Sequence, residues 1–339
     1  MVALSVLDLS FVTTGTPPSA ALRNTLDLAQ LADALGYLRF WTAEHHNLPS
    51  VASPAPEVMI GQIASLTRRI RVGSGGVMLP NHAPLAVAER FKMLEAFFPG
   101  RIDLGIGRAP GTDQVTAFAL RRWQGDPGRD DFLERLQELI FWDSGGFPDD
   151  HPFSKARAMP WDAALPPIWM LGSSDYGARL AASMGVGFAF AHHFASFDAV
   201  TAMRLYRSGY NRDGVRDRPY AILGVAAVCA ETDAEAERLA SSIDYNWLRR
   251  EQGEYRPLPS PEEAAAYPYT DRDRVRIEAN RRRLFVGSPA TVKQRLGELV
   301  AATEADEVMI TSAIYDHAAR RRSYELLAEA FALTPSAGA

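Results

Sequence analysis

Two adjacent histidines lie in the segment Trp41–Asn47, whose sequence is WTAEHHN. An imidazole changes its charge near neutral pH, so the histidine that faces a site could donate or accept a proton. Because consecutive side chains point in different directions, we expect one of His45 and His46 to face a site and the other to lean into a loop. A packed histidine hydrogen-bonded to backbone is the ordinary explanation for at least one of them.

A second stretch, Arg71–Pro84, reads RVGSGGVMLPNHAP and passes through the adjacent glycines Gly75 and Gly76. Glycine occurs at a strand end where something presses against the backbone, or where the chain takes angles that a Cβ would forbid. An ordinary strand exit needs one glycine at most. Two glycines directly after Ser74 therefore predict a flat ligand on this strand end.

Arg108 lies in the loop Gly107–Gly111, directly after an apolar strand. A guanidinium in this position is suited to binding a phosphate through two parallel hydrogen bonds. The alternative is a surface arginine paired with a nearby carboxylate such as Asp113.

The segment Gly172, Ser173 and Ser174 opens a helix. The free N–H groups and the positive dipole end of a helix bind anions. The alternative is ordinary capping by Ser174 or Asp175. Because Arg108 and this helix start follow neighbouring predicted strands, together they predict one monophosphate site.

A metal site is a further hypothesis, because several potential ligands follow predicted strands. They are Glu44, His45, His46, His82, His192 and His193. The chain has no H-x-H or H-E-x-x-H spacing and no lysine where a carbamylated bridge would be expected, so no metal is predicted. Instead, His192 and His193 follow an aromatic strand containing Phe188 and Phe190, and we expect them to line an apolar substrate pocket.

Eight strand–helix repeats position these residues. The predicted strands are Leu4–Leu9, Tyr37–Ala43, Ile70–Val77, Ile102–Ile106, Ile168–Leu171, Gly187–Ala191, Tyr220–Ala230 and Ala305–Thr311. Eight βα units predict a TIM (β/α)8 barrel, with irregular insertions at about 145–165 and 251–273 after the fourth and seventh strands. An open doubly wound sheet is the alternative, but the first strand–helix turn, Asp8–Thr16, lacks a G-x-G-x-x-G fingerprint.

Read as a barrel, residues 1–339 form one domain, and its active site is expected at the carboxyl ends of the strands. The unusual residues fall at these ends: the histidine pair at the second strand, Ser74–Gly76 at the third, Arg108 at the fourth, Gly172–Ser174 at the fifth, and His192 with His193 at the sixth. Their common placement is a stronger signal than any one motif.

Composition limits the function classes. The net charge of −5 and the sequence pI of about 5.9 argue against a general nucleic-acid-binding role. The single cysteine, Cys229, excludes an intramolecular disulfide framework. No signal peptide or membrane span is predicted, which favours a cytoplasmic globular protein.

At these motifs the sequence resembles the bacterial-luciferase-like, flavin-dependent monooxygenases, and especially their single-chain members. The matching stretches follow nearly the whole predicted barrel in order. They are Trp41–Asn47, Arg71–Pro84, Phe97–Gly111, Met170–Ser174 and Ala305–His317.

The resemblance implies a TIM barrel that binds FMN, with the reduced flavin delivered by a separate reductase. Gly75–Gly76 would hold a non-prolyl cis peptide bond that forms a bulge beneath the isoalloxazine ring. Arg108 would bind the phosphate, and His45 would be the catalytic histidine that stabilises a flavin C4a-peroxide or moves a proton. The implied cofactor-binding residues are Ser74, Gly75, Gly76, Arg108, Gly172, Ser173, Ser174 and Tyr176.

The implied activity is oxidation of a small organic substrate by reduced FMN and O2. The aromatic residues Phe188, Phe190, Tyr255, Tyr267 and Tyr269 suggest that the substrate is apolar and shielded by the second insertion. The alternatives are a deazaflavin-dependent reductase or dehydrogenase on the same barrel, a non-catalytic flavin-binding protein, and a metal-dependent hydrolase. A deazaflavin enzyme would need a more basic mouth for the polyanionic tail of its cofactor.

The sequence also departs from the family pattern. The luciferases have a carboxylate where Gly172 stands, and His82 lies one position earlier relative to the following proline. Glu251–Asp273 takes the place of the family's mobile active-site segment without matching it, which leaves the substrate open. A homodimer is expected from the family, with Met59, Ile63, Leu85 and Phe91 either at its interface or facing the core.

Overall fold

The computed structural model describes residues 2–109, 111–121 and 130–334. Several predictions fall on residues outside those described. They are Pro110 in the predicted phosphate loop, Arg129 as the first residue of a helix that the sequence predicts at Arg129–Phe141, and both ends of the predicted 1–339 domain. None of the described helices is long and apolar enough to cross a lipid bilayer.

The strands are β1 Ala3–Asp8, β2 Arg39–Thr42, β3 Arg71–Ser74, β4 Val77–Met78, β5 Ile102–Gly107, β6 Ile168–Gly172, β7 Gly187–Ala191, β8 Ala221–Cys229, β9 Leu284–Gly287 and β10 Glu307–Thr311. The helices are α1 Pro18–Leu35, α2 Pro56–Leu66, α3 Pro84–Phe97, α4 Gln114–Arg121, α5 Phe132–Ser144, α6 Asp175–Met184, α7 Ala199–Ser208, α8 Asp233–Glu251, α9 Pro261–Ala265, α10 Asp271–Arg281, α11 Pro289–Thr303 and α12 His317–Ala330. Leu79–Asn81 forms a turn of 3-10 helix.

The parallel strands close into a barrel in the order β1, β2, β3, β5, β6, β7, β8, β10, and β10 pairs with β1. The predicted TIM barrel is therefore confirmed. The strand predicted at Ile70–Val77 is divided in the structure, because the Gly75–Gly76 segment separates β3 from β4.

β9 was not predicted and lies outside the barrel. The first half of β8 pairs with β10 from Ile222 to Ala226, whereas its last residues, Ala226–Cys229, pair with β9. β8 therefore runs past the barrel wall and gives the chain between α10 and α11 an additional strand to join.

The insertion at 145–165 lies between α5 and β6 and contains no helix or strand. The insertion at 251–273 was predicted to be irregular, and this was partly wrong. It contains α9 and the start of α10, and each helix begins with a capping box in which Ser260 or Thr270 binds the residue three positions later. The segments S-P-E-E and T-D-R-D carry this signal in the sequence.

The barrel interior contains a cluster that includes Leu7, Trp41, Trp169 and Met309. At its amino-terminal floor, Asp103 accepts hydrogen bonds from Arg39 at 2.7 Å and from Arg71 at 2.7 Å. The larger apolar core lies between the strands and the surrounding helices. Because the interior is filled and the floor is closed, only the carboxyl ends of the strands leave room for a site.

Candidate functional site at the barrel mouth

The barrel brings four of the predicted segments together at one side of its mouth. The histidine pair follows β2, the glycine pair follows β3, Arg108 follows β5, and the serines follow β6. These strands are consecutive neighbours, since β2 pairs with β3, β3 with β5 and β5 with β6. The segments therefore form a continuous arc.

The peptide bond between Gly75 and Gly76 is cis, as the resemblance implied. A Cβ on Gly76 would lie 2.5 Å from Leu171 Cδ1 and 2.8 Å from the carbonyl oxygen of Gly105. A Cβ on Gly75 would lie 2.8 Å from Leu7 Cδ1. The atoms that crowd both glycines belong to other strands of the barrel. The close approach to the backbone that the sequence predicted is therefore made by the protein itself.

Ser74 does not offer its side chain to a ligand. Its hydroxyl donates to the carbonyl of Gly105 at 2.9 Å and accepts from the N–H of the same residue at 3.0 Å, fully buried. The hydroxyl thus joins β3 to β5, and any contact of Ser74 with a cofactor would have to come from its backbone.

Arg108 and Tyr176 meet although they come from different βα units. The guanidinium carbon lies 4.2 Å from the centre of the Tyr176 ring, a distance suited to a cation–π interaction. The only carboxylate of the described residues that pairs with Arg108 is the exposed Asp130, at 3.5 Å. Pairing with Asp113, the alternative from the sequence, is wrong because that carboxylate accepts from Asn47 and Thr116 instead.

The amino terminus of α6 lies beside this arginine. Ser174 is its N-cap residue, but its side chain makes no capping hydrogen bond, so the ordinary capping explanation is not supported. Gly172 lets β6 approach the helix, since a Cβ there would lie 3.1 Å from Gly177 Cα. An uncapped helix start next to a cation fits an anionic group.

The two neighbouring histidines point to different surroundings, as expected. His46 bonds to the buried carboxylate of Glu44 at 2.9 Å. Burial lowers the pKa of His45, and the charge of Arg250 on α8 lowers it further against the opposing effects of Gly111 and Glu44. His45 is therefore neutral at pH 7 and able to accept a proton.

His193 is a second neutral imidazole at the mouth. Burial lowers its pKa to about 4, and its Nδ1–H donates to the carbonyl of Gly224 at 3.1 Å. Nε2 is then left as an acceptor. His193 follows β7 and His45 follows β2, so both lie at the carboxyl ends of barrel strands.

The predicted aromatic lining is wrong for Phe188 and Phe190. Both are fully buried in the core outside the barrel, and Phe188 packs on Tyr206 of α7. The residue of β7 that belongs to the barrel interior is Ala189. Strand alternation therefore faces small residues towards the site and aromatic ones towards the helices.

Comparison with known proteins decides the family. The family model described as luciferase-like monooxygenase matches residues 2–307. This chain belongs to the luciferase-like monooxygenase family. A relative from Bacillus subtilis (strain 168), the N-acetyl-S-alkylcysteine monooxygenase, is 35% identical over 332 residues, covering 97% of this chain and 98% of the relative.

Solved structures agree with this assignment. Apo-MsnO8 is 40% identical with a TM-score of 0.91, covering 99% of this chain and 100% of that chain. The oxygenating constituent of 3,6-diketocamphane monooxygenase from Pseudomonas putida, in complex with FMN, has a TM-score of 0.73 at 20% identity, covering 100% of both chains. At that identity the second likeness shows the fold alone. Family membership places this chain among the oxidoreductases.

In this luciferase-like chain the tyrosines of the second insertion pack mainly on one another. Tyr267 lies 4.7 Å from the ring of Tyr245 on α8 and 5.0 Å from that of Tyr269, whereas Tyr255 is exposed. Tyr269 also lines an outer groove of about 510 Å³ between α8, α10 and β9. Because Arg281 in this groove is already paired with Asp244 and Glu237, the groove is a poorer candidate site than the mouth.

Sequence reasoning missed Thr311. Met309 of the same strand belongs to the barrel interior, and alternate residues share a face, so Thr311 points inward nearer the mouth. It is 6% exposed, and its Oγ1 has no hydrogen-bond partner among the described residues. A buried hydroxyl without a partner is costly, so this atom fits a polar group of a bound ligand.

Within the described part of the chain, no group of histidine, cysteine and acidic side chains is arranged to hold a metal ion. The three candidates nearest one another, Glu44, His46 and His82, lie at hydrogen-bond distances of 2.9–3.0 Å. They form a hydrogen-bonded cluster.

Proposed function

We propose that this protein is an FMN-dependent monooxygenase that uses reduced FMN and O2 to oxidise a small organic substrate. The observation that carries the proposal is the meeting of Arg108, Tyr176 and the uncapped start of α6 beside the glycine pair. A phosphate needs such a cation and free N–H groups, and a flat ring needs a surface without side chains.

The residues that would hold FMN follow from this arrangement. Arg108 and the first turn of α6, with Ser173 and Ser174, would bind the phosphate. Gly75 and Gly76 would lie against the ring, and Thr311 would supply a polar contact. Bound reduced FMN would supply the two electrons with which one oxygen atom of O2 enters the substrate and the other becomes water.

The chain's own contribution is positioning and proton transfer. His45 is neutral at the mouth and would accept or return a proton at an imidazole nitrogen. His193 offers a second acceptor at Nε2. The packed barrel interior excludes water from below the ring.

Two partners belong to the proposal. A separate flavin reductase would supply reduced FMN, and a second copy of the chain would form a homodimer. Met59, Ile63 and Phe91 do not serve as its interface, because they are buried in the core of the single chain. The exposed apolar residues of the same two helices are Val58, Leu66, Met93 and Phe97.

The printed name of one relative suggests which substrates to test first. N-acetyl-S-alkylcysteines are the first compounds to test, because the Bacillus subtilis relative is named for them. Such a compound is a thioether that carries a carboxylate. It therefore differs from the purely apolar substrate that the aromatic residues suggested.

The decisive experiment is an anaerobic titration of the protein with reduced FMN and with reduced riboflavin, which lacks the phosphate. We expect FMN to bind more tightly, and Arg108→Ala to weaken FMN binding about 10- to 100-fold while leaving riboflavin binding unchanged. Arg90→Ala on the outer surface of α3 is the matched control. If reduced FMN does not bind, the proposal fails and a deazaflavin coenzyme becomes the next ligand to titrate.

A further inference from the structure

Glu44 is a buried carboxylate at the mouth, and the hydrogen bonds it accepts come from several different donor groups around it. Its Oε1 accepts from His46 Nε2 at 2.9 Å, from His82 Nε2 at 3.0 Å and from Asn81 Nδ2 at 3.1 Å. Its Oε2 accepts from the backbone N–H of Met78 at 2.8 Å and also from His82 at 3.0 Å. The side chain is 0% exposed.

These donors belong to separate segments of the mouth. His46 lies in the loop after β2, Met78 ends β4 directly after the glycine pair, and Asn81 and His82 lie in and after the 3-10 turn. His46 extends the connection, because its carbonyl accepts from Thr112 Oγ1 at 2.9 Å in the loop that follows Arg108. One carboxylate thus joins the three loops on which the proposed site depends.

The contacts also fix the protonation of two imidazoles. A carboxylate without a proton can only accept, so the Nε2 atoms of His46 and His82 must both carry hydrogen. Burial alone would raise the pKa of Glu44, but the bonds from His82, Met78 and His46 lower it below its usual value. The carboxylate is therefore ionised across the physiological range.

We propose that Glu44 is the positioning residue of this site, which orients His46 and His82 and holds the His45 loop against the exit of the Gly75–Gly76 segment. His45 is the next residue along the chain, so the direction of its imidazole depends on how this carboxylate is held. The inference deepens the proposed function and rests on it for the identity of the ligand. The hydrogen bonds of Glu44 on which it is based are all made within this chain.

Replacing Glu44 by glutamine tests the arrangement, because an amide cannot accept at both ends. The Met78 N–H cannot change, so the amide oxygen is expected to take the place of Oε2, and the NH2 group then faces His46 and Asn81. His46 can restore a hydrogen bond only by moving its proton from Nε2 to Nδ1.

Histidine ¹⁵N spectra of the flavin-free protein at about pH 8 measure this directly. We expect Nε2 of His46 and His82 to be protonated in the wild type, and Nε2 of His46 to become an acceptor in Glu44→Gln, with a shift of the His45 signals. Asp27→Asn is the matched control, because Asp27 bonds to His317 Nε2 at 2.7 Å on the surface. This control should change the His317 signals alone.

A second readout separates positioning from a purely structural role. The rate at which bound reduced FMN is re-oxidised by O2 should change on the order of 10- to 100-fold in Glu44→Gln and stay at the wild-type value in Asp27→Asn. His82→Asn replaces one of the imidazole donors to Glu44 and so tests the same group of hydrogen bonds. This variant remains usable if Glu44→Gln does not fold.

Unchanged His45 and His46 signals in Glu44→Gln, or a re-oxidation rate equal to the wild type, would overturn the inference. Failure of the wild type to bind reduced FMN is a different result. It would refute the proposed flavin chemistry, whereas the spectra of the flavin-free protein would still decide whether Glu44 orients the histidines.

Discussion

At the scale of single residues, the mouth is notable for imidazoles that stay neutral. Burial lowers the pKa of both His45 and His193, and Arg250 and Arg283 add positive charge nearby. A neutral imidazole can accept a proton from a reacting group, whereas a charged one cannot. The same burial makes these residues sensitive to acid.

His193 gives a prediction about stability and pH. Its pKa is about 4 in the folded chain against an ordinary value of 6.5, so the unfolded chain binds the proton more readily between these values. The free energy of unfolding should therefore fall as the pH drops from about 6.5 to about 4. In His193→Gln, whose amide can still donate to Gly224, this decline should be shallower.

Urea unfolding at about pH 7.5 and about pH 5 measures the effect. The neighbouring groups His192, His45 and Arg283 remain in both proteins, so the difference between them reports on His193. An identical loss of stability in the variant and the wild type would contradict the prediction.

Arginine after a strand and serines at a helix start were predicted to form one anion site. The structure places Arg108 against Tyr176 at that helix, and anion binding there stays a prediction. Prediction from residue type failed where the role depends on which alternate residues of a strand face the barrel interior. A shift of one residue decides whether Phe188 or Ala189 faces the barrel, and apolar composition alone does not reveal this.

At the scale of elements, the strand exit at the glycine pair is the most constrained part of the site. Gly105 of β5 and Leu171 of β6 surround Gly76, which leaves no room for a Cβ there because backbone as well as side chain is in the way. Gly75 is crowded by Leu7 Cδ1, the far end of a flexible side chain. The two positions should therefore respond differently to alanine.

We expect Gly76→Ala to destabilise the protein by about 1–3 kcal/mol, and more than Gly75→Ala, since an added methyl group there forces the backbone to shift. Gly297 in α11 is the control, because nothing lies within 4 Å of the position that its Cβ would take and alanine favours a helix. Gly297→Ala should be neutral or stabilising in thermal and urea unfolding. A Gly76→Ala protein as stable as the wild type would rule out the crowding argument.

Most elements could be predicted because buried parallel strands read as short apolar runs separated by helical periodicity. β7 was predicted with its observed bounds, Gly187–Ala191. β9 was missed, since Leu284–Gly287 is only four residues long and becomes a strand through the overhang of β8. The overhang depends on how β8 aligns with its neighbours in the assembled sheet, so the residues of β9 alone do not predict it.

At the scale of the whole molecule, opposite ends of the barrel have different tasks. The mouth carries the candidate site, and the floor carries a buried network in which Asp103 binds Arg39, Arg71 and the indole N–H groups of Trp41 and Trp169. The charged residues of this floor, Arg39, Arg71 and Asp103, stand at or near the start of their strands. The network therefore serves stability at a distance from the chemistry.

Asp103→Asn should cost about 3–5 kcal/mol of unfolding free energy, because it leaves buried positive charge incompletely compensated. Burial would raise the pKa of Asp103, but Arg39 and Arg71 lower it below 3.8, so its contribution is present above that pH and is lost as the pH falls further. Glu57→Gln breaks an exposed pair with Arg90 and should cost less than about 1 kcal/mol. Equal costs for both variants in urea unfolding would contradict this role.

The proposed homodimer gives the last prediction. Met93 and Phe97 lie four residues apart on one face of α3 and are 50% and 69% exposed, and Val58 and Leu66 of α2 are exposed as well. An apolar face of this kind costs free energy in water unless a partner covers it. Native mass spectrometry should give about twice the 37.2 kDa chain mass at micromolar concentration, and the Met93→Glu, Phe97→Glu double variant should give the single chain. Val275→Glu, at an exposed position on α10, should leave the dimer intact. A wild type that stays at the single-chain mass would exclude the dimer and leave the α2–α3 face without an assigned partner.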